Sequence, residues 1–124
     1  MADATTRRKR PTARQLKDDL DDALGALYEV RNDGSAAASV DNATAMLRVW
    51  SLRYIKANLE LDVAADDHEK NQARRAMKEA SMEVAEWEKR KSVAQADLVN
   101  DLLLAEKEHT AEQDALAAEA ESLH

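Results

Sequence analysis

The sequence predicts an all-α protein: a helical hairpin followed by a long coiled-coil-like helix. Three observations carry this. The stretch from Ala43 to Ala105 contains no Gly or Pro. Its apolar residues recur at alternating spacings of four and three, the period of a helix covered by other helices, with none of the alternation a strand requires. Charged residues make up 35% of the chain and aromatics 3%, with no Phe, a composition typical of long helices and coiled coils.

Taken from the N-terminus, residues 1–10 (MADATTRRKR) are polar, charged and aperiodic, and read as a disordered basic arm. Thr12 and Gln15 then form a capping box, with Pro11 just outside it. A first helix follows to about Arg31, with a stripe at Ala13, Leu16, Leu20, Ala23, Leu27 and Val30, broadened by Leu24 and Tyr28. Gly25 inside it either permits a close helix crossing or is incidental, at about 1 kcal/mol relative to Ala. Asn32-Asp33-Gly34 is the clearest punctuation, Gly34 suiting the left-handed position after a helix end. Ser35 to Val40 reads as a small-residue linker, and the second helix as starting near Asp41 or Asn42, both good capping types.

The second helix carries the stripe Ala43, Leu47, Trp50, Tyr54, Ala57, Leu61, Ala64. Val49, Leu52, Ile55, Leu59 and Val63 lie largely off it, so this helix is apolar over a wide arc and needs cover on more than one side. A second stripe runs Ala73, Met77, Ala80, Val84, Trp87, Lys91, Ala94, Leu98, out of phase with the first. The slip falls in the polar run from Asp66 to Gln72. Either the helix breaks there, with Asp66 as N-cap and Glu69 completing a capping box, or it continues and its seam moves to another face. A break is favoured, because an unbroken helix would reach roughly 100 Å. The helical domain is placed at 11–105, and 106–124, with six acids against Lys107, as an acidic frayed helix or tail.

Charge is unevenly spread. Residues 1–14 hold five bases (Arg7, Arg8, Lys9, Arg10, Arg14) against Asp3, a net of +4 that leaves −11 on the rest of this −7 chain. The basic run suits phosphate, through counterion release and the planar guanidinium fork, so Arg7, Arg8, Lys9, Arg10 and Arg14 are the candidate nucleic-acid or polyanion contacts. No aromatic interleaves them, so base stacking is not supported, and no helix-turn-helix is evident. Without cysteine, disulfide and thiolate chemistry is excluded. No apolar run approaches the ~18 residues of a membrane span, and no apolar segment follows the basic one as in a secretory signal. The expectation is a cytoplasmic protein, with virion association compatible, and no membrane partner.

Catalytic patterns are sparse. Asp18, Asp19, Asp21 and Asp22 lack the loop and distal Glu of a calcium hand and read as a solvated helix face. Glu106 and His109 form one Glu-x-x-His, where a di-metal bundle needs two copies and two more carboxylates. Two glycines cannot build a phosphate-binding loop, and no nucleophile elbow is present. Neither enzyme activity nor a cofactor is expected. A small chain with few large side chains buries a thin core, so association with copies of itself is the natural supplement. Leu47, Trp50, Tyr54, Leu61, Met77, Val84, Trp87 and Leu98 are the candidate interface, the aromatics being core or subunit anchors. Lys91 falls on the second stripe and is expected to snorkel, while Glu86–Arg90 and Arg75–Glu79 are i,i+4 pairs of an exposed face.

The expected function is therefore an oligomeric helical assembly or scaffold protein whose arm contacts nucleic acid or another polyanion. Small viral packaging and scaffolding subunits share this plan of arm, hairpin and oligomerising helices, an analogy of architecture without a motif match. The alternative is an acidic helical adaptor or inhibitor that binds a protein partner and no nucleic acid.

Overall fold

The computed structural model describes residues 11–123. They form three helices and, among the described residues, no strand: α1 (Ala13–Tyr28), α2 (Ala36–Val63) and α3 (Asp67–Ser122). At ~1.5 Å per residue these measure about 24, 42 and 84 Å.

Each helix begins on a side-chain cap. Thr12 Oγ1 accepts from Gln15 N at 3.1 Å, and Gln15 Oε1 accepts from Thr12 N at 2.9 Å, which is the capping box expected from the sequence. Ser35 Oγ accepts from Ala38 N at 3.1 Å and starts α2. Helix α2 thus begins at Ala36, earlier than the expected Asp41 or Asn42. The presumed linker is its first turn and more, because alanine is the best helix former and Ser35 a strong cap. In the other direction, α1 stops at Tyr28 rather than near Arg31, its end closed by Glu29 N donating to the carbonyls of Gly25 and Ala26. Gly34 has the expected positive φ of 76°, but in the loop before Ser35 and not directly after the helix. An alanine Cβ at Gly25 would meet nothing within 4 Å, so that glycine serves no close crossing.

The long helix is broken, at its earliest polar residues. Helix α2 ends at Val63, and α3 is capped by Asp66, whose carboxylate accepts from Glu69 N at 2.8 Å. Glu69 reaches back to Ala65 N at 2.8 Å, one residue beyond a standard box. Residues 67–72 of the polar run are already helical.

Helix α2 lies in the middle. Both α1 and α3 pack on it, and α1 and α3 do not approach one another. Glu60, Val63 and Ala64 line one cleft with Glu69, Gln72 and Ala73, while Ala36 and Ser39 line another with Asp97, Asn100 and Asp101, so α2 and α3 run antiparallel. Pro11 and Leu16 share a third cleft with Ile55, Asn58, Leu59 and Asp62, which sets the start of α1 beside the end of α2. The buried residues are Leu16 and Ala23 of α1, Ala38, Ala43, Val49 and Ala57 of α2, and Ala73, Ala80 and Ala94 of α3. Seven of these nine are alanine, which lets helix axes settle at the near end of the usual ~8–10 Å. Val49 answers the wide apolar arc of α2: it lies off the first stripe and is buried all the same.

Candidate functional site: the hairpin seam and the free end of α3

Among the described residues helix α3 has a single neighbouring helix, so what it buries there it buries against α2. Every residue of its expected stripe is buried or half-buried: Ala73, Met77, Ala80, Val84, Trp87, Lys91, Ala94 and Leu98. On α2, Leu47, Trp50 and Leu61 are half-buried, and Tyr54 is 39% exposed. The α3 members of the candidate interface, Met77, Val84, Trp87 and Leu98, therefore lie against α2 of the same chain.

The two tryptophans are set alike. The Arg53 guanidinium lies over the Trp50 ring, and that of Arg90 over the Trp87 ring, each 4.5 Å from the ring centroid. Such contacts contribute roughly 0.5–1 kcal/mol each at half-exposed sites. The surrounding pattern also repeats. Ala43, Trp50, Arg53 and Ala57 have the same spacing as Ala80, Trp87, Arg90 and Ala94. On antiparallel helices this repeat gives the hairpin an approximate local two-fold. Both indole Nε1–H groups are buried without a hydrogen-bond partner among the described residues. An unsatisfied buried donor costs about 1–3 kcal/mol, so the rings are held by apolar packing and the arginine stacks rather than by hydrogen bonds. Arg53 and Arg90 were not singled out from the sequence, although the three-residue offset from each Trp was the available signal.

The acidic groups are scattered. Asp18, Asp19, Asp21 and Asp22 are all exposed on α1, and Glu106 and His109 are exposed on α3. Among the described residues no group of three or more His, Asp or Glu is placed to hold a metal ion. Arg90 pairs with Glu86 at 3.2 Å and Lys56 with Glu60 at 3.8 Å, both exposed pairs of small energetic weight. Asp33 is the exposed residue whose carboxyl is held below its ordinary pKa, by the Ser35 hydroxyl at 2.6 Å and then the Ser35 amide at 2.9 Å. Of the proposed polyanion contacts, Arg14 is exposed in the first turn of α1; Arg7, Arg8, Lys9 and Arg10 lie outside the described residues.

The least expected feature is the distal part of α3. Asp97, Asn100 and Asp101 lie beside the start of α2, and from Val99 to Leu123 every residue is exposed. The segment foreseen as a frayed helix or tail is helical through Ser122. From Leu102 to Ser122 the helix projects about 32 Å past its partner. Leu102, Leu116 and Leu123 are 63%, 65% and 81% exposed. Stepping on from Ala94 and Leu98 by threes and fours, the seam face continues as Asp101, Ala105, Glu108, Glu112, Ala115 and Glu119. It changes from apolar to acidic at the level where α2 begins. Among the described residues no helix is long and apolar enough to cross a membrane. No family model, no curated protein and no solved structure matches the chain.

Proposed function

We propose that this chain is a non-enzymatic assembly or scaffold protein that acts as an oligomer, its N-terminal basic arm engaging nucleic acid or another polyanion. The observation that carries the reading is the projecting end of α3. A helix with exposed leucines and, among the described residues, no partner over about 32 Å is a surface that a further chain covers with gain. The short alanine core of the described hairpin supports the same view, since so thin a core gains from association. Arm, hairpin and projecting helix together keep the plan of a small packaging or scaffolding subunit, by analogy of architecture.

The projecting end also supports the second reading. From Glu106 to Glu121 it presents six carboxylates against Lys107, a surface suited to a basic protein partner. One titration separates the two. The unmodified chain and a chain lacking residues 1–10 are titrated with duplex DNA at low and at high salt, and their masses are followed by light scattering. The assembly reading expects salt-sensitive DNA binding that is lost with the arm, and a mass above that of one chain. A protein that stays monomeric at all accessible concentrations and binds DNA equally well without its arm overturns it.

A further inference from the structure

We infer that the projecting end of α3 is the docking surface for the basic arm of a second copy of this chain, joining copies head to tail. The inference rests on the reading of the arm as a polyanion ligand and names the polyanion. Two facts of placement carry it. Pro11, from which the arm departs, lies beside Ile55, Asn58, Leu59 and Asp62, near the turn end of the hairpin. The projection starts at the opposite end, beyond the level of Ala36. Ala36 and Ile55 are nineteen helical steps apart, about 28 Å. Arg7 to Arg10 sit at most four residues from Pro11, about 14 Å of fully extended chain. These cations cannot reach the projection of their own chain; they can reach that of another.

Charge and side-chain chemistry select this occupant over a second projection. Two projections laid together would each bring Glu106, Glu108, Glu112, Asp114, Glu119 and Glu121 against the same set, with Lys107 alone to offset them. The arm brings Arg7, Arg8, Lys9 and Arg10 against Asp3. Along the projection Glu106 lies four residues from Leu102, and Glu112 and Glu119 lie four and three residues from Leu116, all exposed. The methylene stems of arginine and lysine cover such leucines while their heads reach the carboxylates. Each contact is weak and screened, so docking is strong at low salt and fades as salt rises. The two surfaces differ and sit at opposite poles, so the contact is heterologous and copies add head to tail.

The test uses two complementary full-fold variants. One lacks residues 1–10; the other carries Glu108→Lys, Glu112→Lys and Glu119→Lys, exposed positions whose change leaves the hairpin untouched. Circular dichroism verifies that both are helical. Sedimentation at low salt is expected to show concentration-dependent chains for the unmodified protein, monomers for each variant alone, and a 1:1 dimer when the two are mixed. Roughly tenfold or more of the association constant should be lost at high salt. Reversing the arm (Arg7→Glu, Arg8→Glu, Lys9→Glu, Arg10→Glu) in the triple-lysine chain should restore chains. Association that survives loss of the arm and strengthens with salt overturns the inference and assigns the projection to self-pairing through its leucines. A monomeric unmodified protein overturns it too. If the arm-deleted chain also fails to bind DNA, the polyanion reading of the arm stands without this docking; if DNA binding is unchanged, both fall.

Discussion

Replacing Ala80 with leucine tests whether the α2–α3 seam is as tight as its alanines imply. Ala80 is 1% exposed, and among the described residues α3 packs on α2 alone. Leucine adds three carbons. If the seam had room, burying them would stabilise by about 0.8 kcal/mol per carbon, some 2.4 kcal/mol in all. If the axes are held close, the added carbons push α2 away and the cost is about 1–3 kcal/mol. The two outcomes differ in sign. The close-packed seam predicts a fall in melting temperature of about 4 °C per kcal/mol for a domain this size. Thermal and urea unfolding followed by circular dichroism read it directly. Ala111→Leu on the projecting end, where the side chain is exposed, is the control and should stay within about 0.5 kcal/mol of the parent. An Ala80→Leu protein that melts at or above the parent temperature would refute the close approach of the two helices.

Further substitutions probe single features. Asp66→Ala removes the cap of α3 and should cost about 1 kcal/mol in urea unfolding, since Glu69 N loses its acceptor. Gly25→Ala should stabilise by roughly 0.5–1 kcal/mol because nothing opposes the new Cβ, whereas Gly34→Ala should destabilise by about 1–2 kcal/mol at its φ of 76°. Ser35→Ala should move the titration of Asp33, followed by carboxyl NMR, back up toward the ordinary value of 3.8. A depressed carboxyl pKa stabilises the fold above the unfolded value and loses that contribution as pH falls through the folded one. The parent should therefore show an acid-side loss below pH 3.8 to which the variant's Asp33, left with the amide bond alone, contributes less.

The stripe of α3 was legible because one neighbour decides its burial: all eight residues from Ala73 to Leu98 face α2, as their spacing implies. On α2 the same rule blurs. Two partners press on different arcs, so Val49, off the stripe, is buried, while Tyr54, on it, is partly bare. The break after Val63 was visible in Asp66 and Glu69, whose side chains bond locally and so write themselves into adjacent residues. The start of α2 was missed because Ser35 to Val40 carries no large apolar residue, and periodicity cannot be read from alanines alone. The projecting helix was hidden for a related reason. Nothing in residues 106–122 marks where the antiparallel partner α2 begins, and the change from apolar to acidic seam has meaning only once that start is placed. The Trp–Arg stacks needed the hairpin register before their repeat could be recognised as a two-fold.

Because α1 touches α2 and α2 touches α3, with nothing joining first to last, the wiring of this molecule is strictly sequential. Each pairing closes across a loop of a few residues, so contact order is low and folding should be fast. During synthesis α1 has no template until α2 emerges, and α2 keeps one greasy flank bare until α3 follows. The distal third of α3 waits for nothing, being already as covered at its birth as it is in the finished chain.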